Sequence, residues 1–121
     1  MRIFKYRHFQ QWVKSEKLTD EALKKAVEEI SNGLNNGNLG SGLYKKRIAI
    51  PGKGKIGGYR TLLAFKQEER AVFVYGYAKN VQANINMKEQ AIYKNLAKTL
   101  LNMDEKTLNN MLKKGSLTEV K

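Results

Sequence analysis

The sequence predicts an α+β fold with N-terminal helices, an antiparallel β-sheet of three to four strands and C-terminal helices. Two observations predict it. Apolar residues recur at helical spacing in the first thirty residues and again beyond Asn86, whereas the stretch between Leu43 and Tyr77 alternates or is rich in β-branched and aromatic residues. At 121 residues the chain suffices for one modest core and not for two, so residues 1–121 are expected to form a single domain.

Phe9, Trp12 and Val13 sit at helical spacing, which predicts a short helix from about His8, preceded by a few extended residues. Thr19 is placed to cap a second helix. Asp20 and Glu21 in its first turn suit the positive end of the helix dipole, and Ala22, Leu23, Ala26, Val27 and Ile30 make one apolar stripe. Asn32 and Gly33 end it. From Leu34 to Gly42, Asn and Gly dominate without apolar periodicity, so this part is expected to be a flexible connection.

Leu43 to Ile50 alternates, which puts Lys45 and Arg47 on one strand face and Tyr44, Lys46, Ile48 and Ile50 on the other. Pro51 ends that strand, and the glycines among residues 52–58 make a loop that a ligand can approach closely. Tyr59 to Lys66 and Ala71 to Tyr77 read as a hairpin across the polar turn Gln67-Glu68-Glu69-Arg70. Asn86 followed by Glu89 resembles a capping box, opening a helix along Ala91, Ile92, Leu96, Ala97, Leu100 and Leu101. Asp104 caps a last short helix carrying Leu108, Met111 and Leu112, which Gly115 closes.

Charge is where the composition departs from an ordinary globular domain. The net charge is +12, and between Glu29 and Glu89 the only carboxylates are Glu68 and Glu69. Lys45, Lys46, Arg47, Lys53, Lys55 and Arg60 crowd into one acid-free stretch beside glycines, an arrangement whose self-repulsion is most simply offset by a polyanionic partner. The chain has no cysteine and a single histidine, so Cys-based chemistry and a histidine metal site are excluded and no cofactor is expected. Residues 52–58 lack the Gly-Lys-Ser/Thr ending of a phosphate loop, which argues against nucleotide hydrolysis. His8 opens a helix far in sequence from the basic stretch and is expected to pack. No signal peptide or membrane-length apolar run is present, so a cytoplasmic protein without membrane contact is expected.

The segments Leu43-Tyr-Lys-Lys-Arg, Gly57-Gly-Tyr-Arg-Thr-Leu-Leu-Ala-Phe and Val74-Tyr-Gly-Tyr-Ala-Lys-Asn, in this order and spacing, resemble the RelE/HigB toxins of bacterial type II toxin-antitoxin systems. The resemblance runs from the Trp12 helix to the Leu117-Thr-Glu-Val tail. It implies a compact RelE-like domain and a ribosome-dependent, metal-independent endoribonuclease, an mRNA interferase that cuts translated mRNA. It also implies a cognate antitoxin, of helix-turn-helix type with an acidic inhibitory segment.

By position in these motifs, Arg60 looks like the phosphate-stabilising arginine, Lys53 and Lys55 like loop lysines near the nucleophile, and Lys79 like the basic residue after the last strand. Lys45, Lys46, Arg47, Tyr59 and Tyr77 would then contact RNA. Metal-free RNA cleavage asks only for a base, an acid and cations around the phosphate, because the 2′-hydroxyl is itself the nucleophile. Where well-studied RelE toxins carry a second arginine and a stacking tyrosine, this chain has Asn80, Val81, Gln82, Ala83, Asn84, Ile85 and Asn86. The alternatives are a non-enzymatic basic nucleic-acid-binding module and a ParE-like gyrase-directed toxin, which shares the fold. The Lys/Arg constellation favours the nuclease.

Overall fold

The computed structural model describes all residues except 51, 53, 82 and 83, and of residues 54–57 it describes only the backbone. The elements run β1 (Arg2–Tyr6), α1 (Arg7–Lys14), α2 (Asp20–Ser31), β2 (Gly37–Gly40), β3 (Leu43–Ile50), β4 (Gly54–Lys66), β5 (Arg70–Ala78), α3 (Met87–Asn102), α4 (Glu105–Lys114) and β6 (Leu117–Glu119). They build an α+β domain around one sheet of order β2-β3-β4-β5-β1-β6. No helix among the described residues is long and apolar enough to cross a membrane.

The caps form where the sequence places them. The Thr19 side chain accepts from the Ala22 N–H, Asn86 from Glu89 and Asp104 from Thr107, and Gly115 closes α4 in the left-handed region at φ 78°. The backbone hydrogen bond from Thr107 holds the Asp104 carboxyl below its ordinary pKa. Helix α3 ends without a glycine. Arg70 takes over there, donating from Nη1 to the carbonyls of Leu100 and Met103 at 2.7 and 3.0 Å, which satisfies the end of the helix with a cation.

The sheet is larger than the three to four strands expected, and it is not wholly antiparallel. The extended N-terminus becomes β1, which runs parallel to β5 with Arg2 beside Arg70 and Lys5 beside Phe73. The C-terminal tail becomes β6, antiparallel to β1. Arg2 clips this edge with two bonds of 3.0 Å to Glu119, whose carboxyl is thereby held below its ordinary pKa. The Asn/Gly connection is also partly a strand, since β2 pairs with β3. These short strands carry little alternation of their own, and it is the neighbouring strand that recruits them.

Helices cover both sheet faces. One core joins Phe9, Leu23, Val27 and Ile30 to Ile48, Tyr59, Leu63 and Phe73; the other joins Leu43, Leu62, Val72 and Val74 to Ala97, Leu100 and Leu108. Two buried lysines tie α2 to the sheet at its two ends, Lys5 to Asp20 at 3.0 Å and Lys46 to Glu29 at 2.8 Å.

One irregularity decides which side chains of β5 reach which face. Between β4 and β5 the register shifts, pairing Leu62 with Tyr75 but Leu63 with Phe73, so Val74 is the extra residue of a β-bulge. Phe73 points into the α1/α2 core, stacked on Phe9 at 5.1 Å. Val74 and Tyr75 both join the α3 side. Beyond the bulge the odd-numbered residues have changed face.

Candidate functional site

The bulge places Tyr77 directly across from Arg60, and β3 places Arg47 on the other side of Arg60. Residues directly opposite one another share a sheet face. A cleft of about 180 Å³ therefore opens on this face, lined by Lys45, Arg47, Arg60, Tyr77, Lys79, Asn36 and Asn84 among others, with no carboxylate in its described lining. Pockets for drug-sized molecules run from about 300 Å³ upward. This one is an open trough, suited to a phosphate and its attached sugar rather than to an enclosed small molecule.

Four cations in one trough, with Arg47 and Arg60 facing each other across adjacent strands, is an arrangement that costs stability in the absence of an anion. Tyr77 is almost completely buried. Burial pushes its phenol above the ordinary tyrosine pKa, and although the Arg60 charge pulls the other way, burial dominates. The phenol therefore keeps its proton at neutral pH and faces the trough as a neutral donor.

Two asparagines shape the trough, and sequence reasoning missed both. Asn36 sits in the supposed flexible connection, where its Oδ1 accepts the Arg47 N–H at 2.8 Å and its own N–H donates to the Lys45 carbonyl at 3.0 Å. It thereby fixes the backbone of two site cations. Asn84 follows β5; its Oδ1 accepts from the Ile85 N–H at 2.9 Å and lies 3.5 Å from Lys45 Nζ, while Ile85 is anchored in the α3-side core. Asparagine in a polar loop carries no local signal that distinguishes such a role.

Of the residues singled out from the sequence, Arg60, Lys45, Arg47, Lys79 and Tyr77 meet in the trough. Lys53 lies outside the described residues, as does the Lys55 side chain, although the Lys55 backbone belongs to β4. Lys46 and Tyr59 are directed elsewhere. Lys46 borders the trough, but its ammonium is buried against Glu29, with the side chain 4% exposed, and also donates to the Leu34 carbonyl at 2.8 Å. Tyr59 is buried on the α1/α2 side, its oxygen accepting the Lys17 N–H at 3.0 Å and its ring meeting Trp12 edge-on at 5.3 Å. Their alternation along β3 and β4 assigns both to that opposite face, so neither side chain reaches an anion in the trough. His8, expected to pack, is exposed.

A model of a protein family described as "RelE toxin of RelE / RelB toxin-antitoxin system" matches residues 1–120. No curated protein matches the chain.

Proposed function

The chain belongs to the RelE toxin family and is the toxin of a toxin-antitoxin system with a cognate antitoxin; from that premise we propose that it is a ribosome-dependent, metal-independent mRNA endoribonuclease acting in the cytoplasm. The observation that carries this reading is the carboxylate-free trough in which Arg47 and Arg60 oppose each other with Lys45 and Lys79 alongside.

In the proposed reaction the 2′-hydroxyl of the RNA attacks the adjacent phosphorus, and the bond from phosphorus to the 5′-oxygen breaks, leaving a 2′,3′-cyclic phosphate. Arg60 holds the non-bridging oxygens, where charge accumulates as the phosphorus becomes five-coordinate. Lys53 or Lys55 takes the proton from the 2′-hydroxyl, and Lys79 returns one to the departing 5′-oxygen. The protonated Tyr77 phenol offers a further hydrogen bond within the trough. Lys45 and Arg47 grip the flanking backbone.

Induced expression with a growth assay and 5′-end mapping of cellular RNA tests the reading. Growth arrest with cuts inside translated codons is the expected result. Arrest with intact mRNA and altered supercoiling would favour a gyrase-directed toxin, and absence of both effects a non-enzymatic binder.

The trough's phosphate contacts also give a salt signature. Affinity for ribosomes or RNA should fall steeply with salt as counterions are released, and Lys45→Ala and Arg47→Ala should each flatten the slope of log K against log salt by about one. Filter binding across a salt series measures it, and a salt-independent affinity would remove the trough as the contact surface.

The antitoxin is proposed to be of helix-turn-helix type and to silence the enzyme with an acidic segment laid over the trough, for which the +12 net charge supplies steering and complementarity. Of the apolar stripe of α4, Leu108 is fully buried and Met111 and Leu112 are partly buried against the toxin's own core. Hydrogen exchange of the toxin-antitoxin complex should show protection at Lys45 and Arg60. Protection confined to other surfaces would mean that inhibition does not act through charge neutralisation.

A further inference from the structure

A second depression shares Tyr77 with the trough. It runs between α1 and β5 with a volume of about 580 Å³ and is lined by His8, Trp12, Glu16, Tyr75, Tyr77 and Asn80 among others. Three features mark it as more than a surface irregularity. First, Tyr77 lines both this groove and the cationic trough. Second, four of its lining residues carry aromatic rings, and His8 and Trp12 stand one helical turn apart on α1, which turns both toward the same side. Third, Gly76 forms its floor: a β-carbon there would collide with the Trp12 ring, so the absence of a side chain is what seats the indole.

We infer that this groove is a nucleobase subsite, in which a base of the RNA strand adjoining the phosphate held in the trough stacks on the His8 and Trp12 side. The inference rests on the reading of the trough as a phosphate site. Any base offers a π-face to an aromatic side chain, so such a platform holds the strand without selecting its sequence. Glu16 and Asn80 also line the groove, and a carboxylate or an amide oxygen can accept from the exocyclic amine of a base.

Trp12 is the only tryptophan and lines this groove, so its fluorescence reports on it. The probes are two single-stranded hexanucleotides with 2′-fluoro sugars, which cannot attack their own phosphates: one carries bases, and the other is abasic on the same backbone. At low salt the base-bearing strand should bind about five- to tenfold tighter than the abasic one and change Trp12 emission, while the abasic strand leaves emission unchanged. The exposed His8→Ala variant should erase most of that preference without altering abasic binding.

Equal affinity for the two strands overturns the subsite, as does an emission change that is the same for both. If binding in those cases still requires Lys45 and Arg60, the trough stands and the groove alone is refuted. If neither strand binds, the phosphate reading fails and the subsite fails with it.

Discussion

Arg60→Ala is expected to lower the rate of mRNA cleavage by about 10²–10³ and to abolish growth arrest, the scale found when a single electrostatic stabiliser of a developing oxyanion is removed. The expectation comes from position. Arg60 lies between Arg47 on β3 and Tyr77 on β5, on the middle strand of the three that build the trough. Arg60→Lys should fail as well, because an ammonium is a point charge and cannot hold two phosphate oxygens in a fork. The fold should survive both changes. Primer extension on a translated message, with matched expression of the variants, measures the loss. Wild-type cleavage by Arg60→Ala would remove this arginine from the reaction, and lost activity accompanied by an unfolded protein would mean that its role is structural.

Lys46→Ala is expected to do the reverse, unfolding the protein more readily while leaving the salt dependence of RNA binding as it is. The Lys46 ammonium is buried against Glu29 and the Leu34 carbonyl, both at 2.8 Å. Its loss strips the Leu34 carbonyl of this donor and breaks an ion pair that is shielded from water on the lysine side. Breaking a fully buried pair costs about 3–5 kcal/mol. Glu29 is 22% exposed, so water recovers part of this, and a loss of about 2–4 kcal/mol is expected. For a chain of this size that is roughly 6–15 °C in Tm. Thermal melts and the binding slope together decide the matter. A stable variant with a flattened slope would show that Lys46 reaches phosphate after all, despite facing α2.

Lys45, Lys46 and Arg47 are consecutive and chemically alike, yet one holds the fold and the other two face the trough. That division was legible in the strand alternation, which is local and assigned Lys46 to the side of Ile48 and Ile50, although its place in the basic motif set it among the RNA contacts. The helix caps at Thr19, Asn86 and Asp104 and the stop at Gly115 were legible for the same reason, since each depends on a side chain or a dihedral within a few residues. So was the carboxylate-free basic stretch, a property of composition.

What tertiary structure alone decided is which distant residues share a face. Alternation continued through β5 would put Tyr77 with Phe73 in the α1/α2 core; the bulge at Val74 brings it to Arg60 instead. A bulge is a mismatch between two strands, and neither strand carries it alone. The same holds for β1, β2 and β6, which exist because a neighbour offers unpaired backbone groups, and for Asn36 and Asn84, whose roles arise only when β3 lies between them. Periodicity and capping are written within about one helical turn of sequence, whereas the trough and the groove are made by hydrogen-bond register between segments far apart in the chain.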